Sequence, residues 1–334
     1  MADNLVAQLS GMPSWDAFLQ ARLLGPLGMT HTTTQVRARH DPALRTSGHL
    51  HLPEDTVISP DGPFLESAGG AGNIRSSVTD LAQWLRLHLG QGKVDDVRIL
   101  HANSLAPTYI PRIALEDPMA TDARLAQDDT MSYATGWITH ATPQGRLIEH
   151  SGGTIGYNSH IGFDPDRKFG FVVLVNQSYQ GGTGLAVPLG KTIVDLLQGR
   201  SDNQYPKAVF EQIQTDMLMQ RQAREIPENA RPARPDQAYV GRYDNPAMGP
   251  ISIQANGDGG LGFTLGPYKT RVQLSPYSGD IFLADVLIPT YDGSRGHLDQ
   301  LRVRFFADDN DEIVGMRWLG EGDHAGQPAF ERCG

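Results

Sequence analysis

Between Gly136 and Val175 the chain carries four strand-forming runs joined by short polar connections, a spacing that leaves few folds open. The runs are Gly136-Trp137-Ile138-Thr139, Arg146-Leu147-Ile148-Glu149-His150, Asn158-Ser159-His160-Ile161-Gly162-Phe163 and Phe169-Gly170-Phe171-Val172-Val173-Leu174-Val175. Thr142-Pro143-Gln144-Gly145, the stretch from Ser151 to Gly156, and Asp164-Pro165-Asp166 supply the turns. A parallel neighbour needs a crossover of about a dozen residues or more, so these strands are expected to pair antiparallel.

Helices are expected on either side of that block. Ser14 stands before Trp15, Phe18, Leu19, Arg22 and Leu23, with Gly25 behind, the pattern of a short capped amphipathic helix. A second helix spans Val78 to Leu89, capped by Ser76 or Ser77 and stopped at Gly90, with Leu81, Trp84, Leu85 and His88 along one stripe. Further helices are expected at about 185–197 and 207–224. Residues 30 to 66 mix Thr, Pro, His and Asp without periodicity and read as long loops. Together these elements predict an α/β fold of the α+β type, an antiparallel sheet flanked by helices.

Pro227 to Pro235 forms a short polar, proline-rich run, the best linker in the sequence. Beyond it, Ile251-Ser252-Ile253, Leu261 to Leu265, Arg271 to Leu274, Ile281 to Leu283, Leu301 to Phe306 and Ile313 to Trp318 recur at near-regular spacing. Many short, evenly spaced strands predict a small barrel or sandwich. The expected organisation is a first domain over 1–200, a helix and linker over 201–236, and a β-barrel over 237–334.

Two domains suit 334 residues. A formal net charge of −10 disfavours nucleic acid as a partner, and no window holds the roughly 18 unbroken apolar residues of a membrane span. Cys333 is the single cysteine, which excludes an intrachain disulfide or a cysteine-built metal centre. The opening residues carry no basic and apolar leader pattern, so the chain as written is expected to stay in the cytoplasm.

Several chemical motifs fail on inspection. Gly190-Lys191-Thr192 ends like a phosphate loop, but Leu185 stands where the pattern requires glycine, and a helix surface is the simpler reading. His49-Leu50-His51 offers two metal ligands on one strand face without a well-spaced third, so no metal is expected. Gly69 to Asn73 lacks the preceding strand of a phosphate cradle and reads as a tight turn before a helix. The segment His150-Ser151-Gly152-Gly153 is more promising. Glycines at a polar strand edge let a substrate approach the backbone, a free N–H there can face a developing oxyanion, and His150 adds an imidazole at the same place. A glycine-rich hairpin with an incidental histidine fits the same residues.

The order of Leu24-Gly25-Pro26-Leu27-Gly28-Met29-Thr30-His31-Thr32, then Glu66 to Ala82, then Tyr133-Ala134-Thr135-Gly136-Trp137, then His150-Ser151-Gly152-Gly153-Thr154-Ile155-Gly156-Tyr157 resembles the β-lactamase-like serine hydrolases. That family embraces class C β-lactamases, DD-peptidases and related esterases. The resemblance covers residues 1 to about 200, and the segment opening with Tyr239-Val240-Gly241-Arg242-Tyr243 resembles the lipocalin-like barrel often appended to the family. It implies a transpeptidase-like first domain that hydrolyses an ester, amide or β-lactam through a serine acyl-enzyme. The family's third motif, Lys-Thr-Gly or His-x-Gly, falls on His150, Ser151 and Gly152, its oxyanion amide on Gly153, and the adjoining substrate contacts on Gly156 and Tyr157. No metal or organic cofactor is implied.

One departure is severe. No Ser-x-x-Lys occurs anywhere in the sequence, and the single Tyr-x-Asn, Tyr243-Asp244-Asn245, lies in the barrel segment. In the family both motifs precede the Pro26-Leu27-Gly28-Met29 segment, so the resemblance implies a domain that is N-terminally incomplete. The expected partners are the small acyl substrate and either a second copy or a separate N-terminal fragment, and a full-length parent would be periplasmic or secreted. The alternative function is a non-catalytic ligand- or partner-binding protein derived from the same family.

Overall fold

The computed structural model describes residues 2–34, 46–51, 56–59, 69–115, 130–142, 145–179, 184–199, 205–256, 260–265, 269–289, 295–319 and 329–333. By contacts the chain divides into two units, Met1–His49 with Asp61–Gln214, and Leu50–Pro60 with Thr215–Gly334. The helices are α1 (Ala2–Ser10), α2 (Trp15–Leu19), α3 (Gly69–Gly72), α4 (Val78–Leu89), α5 (Ala102–Leu105), α6 (Ala186–Leu197) and α7 (Tyr205–Arg224). The strands before α6 are β1 (Gly48–His51), β2 (Thr56–Ser59), β3 (Lys93–Val94), β4 (Val97–Arg98), β5 (Ile113–Ala114), β6 (Thr130–Tyr133), β7 (Ile138–Thr142), β8 (Gly145–Thr154), β9 (Tyr157–Asp164), β10 (Phe169–Val175) and β11 (Gln177–Tyr179).

Strands β10-β9-β8-β7-β6-β5 form one antiparallel six-stranded sheet in that order. The four runs expected from sequence are its strands β7 to β10. Strands β5 and β6 were not legible, being short and without a sustained alternation of apolar residues. Alternation along β8 directs Ile148 to one face, where it packs with Leu85 of α4, Trp137 and Phe163, and Leu147 to the other, against Phe171 and Val194 of α6. Helices on both faces make this the helix-flanked sheet that the sequence predicts.

Local signals set the helix ends. Ser77 Oγ accepts the Asp80 amide at 3.2 Å at the start of α4, and the Gly90 amide donates to Arg86 O at 2.8 Å at its end. Asp80 is buried and accepts the His31 amide at 2.8 Å and the Thr32 hydroxyl at 2.7 Å, which pins the residues after Met29 to this helix start. Ser14 caps α2 as expected, but the last turn widens into a π-helical turn over Gln20–Leu24.

Three expectations need correction. Residues 30–66 are not all loop: β1 and β2 lie within them, strands of four residues each and too short to set up a visible alternation, while 35–45, 52–55 and 60–68, with Glu66 to Ala68, fall outside the described residues. The stretch from Ser151 to Gly156 is not a turn. β8 continues to Thr154, paired residue for residue with β9, and Ile155 and Gly156 alone make the bend, Gly156 at φ +78°. Gly190 is not on a helix surface but buried in α6, where a Cβ would run into the rings of His160 and Phe171. Pro143 and Gln144 of the expected turn after Thr142 lie outside the described residues.

The second unit contains a closed barrel of eight antiparallel strands: β12 (Gly241–Asp244), β13 (Ile251–Ala255), β14 (Leu261–Leu265), β15 (Thr270–Ser278), β16 (Ile281–Pro289), β17 (Arg295–Ala307), β18 (Ile313–Leu319) and β19 (Ala329–Cys333). The sequence offered six of these. β12 and β19 each turn one large residue inward, Tyr243 and Phe330, too little for an apolar pattern. Tyr239, Phe282 and Phe305 fill the core.

The proline-rich run is not a free linker. Gly279 donates its amide to Arg231 O at 2.8 Å, the Arg231 amide donates to Ser278 Oγ at 3.2 Å, and Arg234 reaches Asp280 at 3.0 Å and Asp311 at 2.6 Å. Tyr239 donates its hydroxyl to Asp280 at 2.7 Å, so arm and core share one carboxylate. A fragment beginning at Glu225 is therefore expected to melt at a higher temperature than one beginning at Gln237, which loses both arginines. Equal melting temperatures would show that the arm adds nothing. Among the described residues no helix is long and apolar enough to cross a membrane.

Candidate functional site

The segment singled out from sequence lies inside β8 rather than at its end. Register decides what it can do. Because a two-residue bend follows, Thr154 and Tyr157 form a hydrogen-bonded pair, and alternation turns the backbone groups of Thr154, Gly152 and His150 toward β9. Those of Gly153, Ser151 and Glu149 turn the other way, toward β7. Pairing with β7 stops at Ile138 opposite Glu149. Beyond Glu149, β8 is paired on the β9 side only among the described residues, so the Ser151 and Gly153 backbone groups face an open edge.

Ser151, Gly152 and Gly153 are exposed and His150 is half-buried beside them. The His150 ring lies along this edge, with Nδ1 2.6 Å from the Ser151 carbonyl and Nε2 3.4 Å from the Tyr133 hydroxyl. A methyl on Gly152 would come within 2.7 Å of Ser159 Oγ, so side-chain space there is already used.

Gly156 and Tyr157 are engaged with β1. The Gly156 carbonyl accepts the His49 amide at 3.2 Å, and its own amide donates to Ser178 Oγ at 2.8 Å. A Cβ on Gly156 would meet the Gly48 backbone at 2.8 Å, and the Tyr157 hydroxyl donates to Thr46 O at 2.6 Å. These two residues fix the bend of the hairpin, whereas His150 to Gly153 present groups to the open edge.

One residue before His150 is a group that the sequence reading missed. Glu149 is buried between two histidines from the neighbouring strands: His160 Nε2 of β9 hydrogen-bonds Oε2 at 2.9 Å, and His140 Nε2 of β7 approaches Oε1 at 2.8 Å without hydrogen-bond alignment. Burial by itself would raise the Glu149 pKa, but the contacts and charges of the two histidines more than offset it and hold the carboxyl well below its ordinary range. The available signal was a carboxylate directly after Leu147-Ile148, the two residues of β8 that are buried on opposite faces. Gly162 makes room for this group, since a Cβ there would sit 2.9 Å from Glu149 Cβ and 2.6 Å from the Phe171 ring.

His88 is a different kind of residue. It is packed among Trp84, Trp137 and Phe163, hydrogen-bonds Tyr109, and has its pKa pushed down by burial to about 4. That environment keeps it neutral and makes it part of the core. His49 and His51 sit on β1, and no group of three metal-ligating side chains suited to an ion occurs among the described residues.

Comparison with known proteins matches residues 1–191 to the beta-lactamase family model and residues 225–331 to a domain of unknown function, DUF3471. The first match takes in more than half of the sequence. The chain belongs to the beta-lactamase family. Among curated relatives, this beta-lactamase family chain is 22% identical over 194 residues to a beta-lactamase of Pseudomonas fluorescens, covering 53% of this chain and 52% of that protein. It is 25% identical over 281 residues to the unguisins hydrolase ungD' of Aspergillus campestris, covering 76% and 47% respectively. The chain thus spans about half the length of these relatives. Among solved structures, the octameric penicillin-binding protein homologue from Pyrococcus abyssi matches with a TM-score of 0.47 and 18% identity, over 98% of this chain and 62% of that one. Membership places the first unit in a serine hydrolase lineage.

Proposed function

We propose that the His150 to Gly153 edge is one wall of an acyl-transfer cleft in which an ester, amide or β-lactam is hydrolysed through a serine acyl-enzyme. The observation that carries this reading is the pair of backbone groups at Ser151 and Gly153 facing a strand edge that is unpaired among the described residues, with His150 lying along it. A carbonyl held against this edge accepts the Gly153 amide, which also stabilises the charge that develops on that oxygen in the transition state. His150 supplies a ring nitrogen for proton transfer to or from the leaving group. The nucleophile is the part for which no Ser-x-x-Lys exists in the sequence. That absence favours a second reading, a non-catalytic protein that binds acyl ligands or partners through the same edge.

Mass spectrometry after incubation with an ester or β-lactam probe separates the two. Alone, the chain is expected to show no stoichiometric adduct, because a serine without an adjacent base is a weak nucleophile at neutral pH. Mixed with a homologue's N-terminal segment carrying Ser-x-x-Lys and Tyr-x-Asn, it is expected to bind that segment and turn over ester. His150→Ala should then reduce kcat/KM roughly ten- to a thousandfold. An adduct on Ser76 or Ser151 of the chain alone would overturn the assignment of roles. A mixture in which the added segment neither sediments with the chain nor reacts would favour the binding protein.

A further inference from the structure

We infer that Tyr133 is a positioning residue for His150: the Ser151 carbonyl holds Nδ1, the Tyr133 hydroxyl holds Nε2, and the ring is thereby fixed at the open edge with Nε2 as its basic nitrogen. This rests on the reading of His150 as a working group.

Sheet geometry explains how β6 reaches β8. The two are second neighbours, about 10 Å apart, and β7 normally separates them. Tyr133, Ile138 and Glu149 form the last row that all three strands share. There the chain passes from β6 to β7 through a tight turn, closed by the Ala134 amide donating to Trp137 O at 2.7 Å, with Gly136 at φ +80°. One residue further along β8, no β7 residue is paired to stand between the two side chains. The phenol ring enters that space and meets the imidazole edge-on, centroids 5.9 Å apart at 76°.

Donor and acceptor rules then assign the tautomer. A carbonyl oxygen can only accept, so the 2.6 Å contact with Ser151 O requires the proton on Nδ1. In the neutral ring Nε2 is then the bare nitrogen, and the Tyr133 hydroxyl 3.4 Å away is its donor. When Nε2 takes up a proton the contact reverses, Nε2–H donating to the phenol oxygen, so the ring keeps one orientation in both states. Glu149 is the adjoining residue on β8, and alternation sends its side chain to the opposite face of the strand. Its carboxylate faces His140 of β7 and His160 of β9, leaving Tyr133 as the side chain that contacts the His150 ring nitrogens.

Long-range proton–nitrogen correlation spectra of the nitrogen-labelled chain test this without any turnover. In the unaltered protein, at a pH where the ring is neutral, His150 is expected as the Nδ1–H tautomer, the reverse of the form that histidine favours in water. A nuclear Overhauser contact between the Tyr133 and His150 rings is expected in the same sample. Tyr133→Phe should move the His150 Nε2 resonance toward that of a nitrogen without a hydrogen bond, leaving its Nδ1–H and the rings of His49 and His51 in place. An Nε2–H tautomer, or no contact between the rings, overturns the inference however the variant behaves. An unchanged Nε2 resonance in Tyr133→Phe overturns the part played by Tyr133. None of these signals depends on hydrolysis, so a mixture with the N-terminal segment that failed to turn over ester would count against the proposed function while leaving this assignment intact.

Discussion

Replacing His140 and His160 together by leucine is expected to lower the stability of the first unit by about 3–5 kcal/mol, the usual consequence of leaving one buried charge without its partners. Glu149 would remain buried on the face of the sheet that carries Leu147 and Phe171, with nothing to offset its lost hydration. Adding Glu149→Leu to the same variant should recover much of the loss, since removing the whole cluster leaves no buried charge. Urea unfolding of the two variants beside the parent makes the comparison. A triple variant no more stable than the double one would mean that packing, not charge, dominates at this site.

The pH dependence carries the same argument with a definite sign. In the parent the folded-state pKa of Glu149 lies below its ordinary value of 4.5. Its contribution is therefore complete above pH 4.5 and is lost as pH falls from there through the folded value. In the double-leucine variant burial acts alone and the folded pKa lies above the unfolded one. That variant should gain stability from this group on acidification, where the parent loses it. Parallel pH profiles would refute the assignment.

Phe305→Ala is the second large effect, expected at about 3–5 kcal/mol on the barrel. Its ring lies 4.8 Å from Tyr239, 5.5 Å from Phe282 and 5.7 Å from Tyr243, centroid to centroid. Neither tyrosine is free to fall into the space left behind. Tyr243 donates its hydroxyl to Tyr239 O at 2.8 Å, and Tyr239 is anchored on Asp280. Calorimetry should show the barrel transition lowered by about 12 °C or more, at roughly 4–8 °C per kcal/mol for a unit of this size. Val314→Ala, at an exposed position on β18, should leave the transition nearly unchanged.

What the sequence revealed, and what it concealed, follows from how each residue carries its information. Strands β7 to β10 were legible because apolar runs such as Phe169 to Val175 are broken by turn residues at hairpin spacing. α4 was legible because Ser77, the Leu81-Trp84-Leu85-His88 stripe and Gly90 agree on one helix. The strand character of Ser151 to Gly153 was hidden, since serine and glycine favour turns locally and only pairing with β9 holds them extended. Glu149, His140 and His160 are separated in sequence, and each by itself looks like a surface residue. Their meeting is a property of register across three strands, which no local pattern reports. Likewise Tyr133 stands 17 residues from His150, and only the end of β7 pairing at Ile138 brings the two rings together.

The arm that carries Arg231 and Arg234 also bears on where the barrel can be cut from its chain. A barrel excised at its first strand would leave Asp280 and Asp311 facing water without their guanidinium partner. The DUF3471 match begins at residue 225, upstream of both arginines. A cut made before Arg231 therefore keeps these attachments with the barrel, and one made at Gly241 severs them.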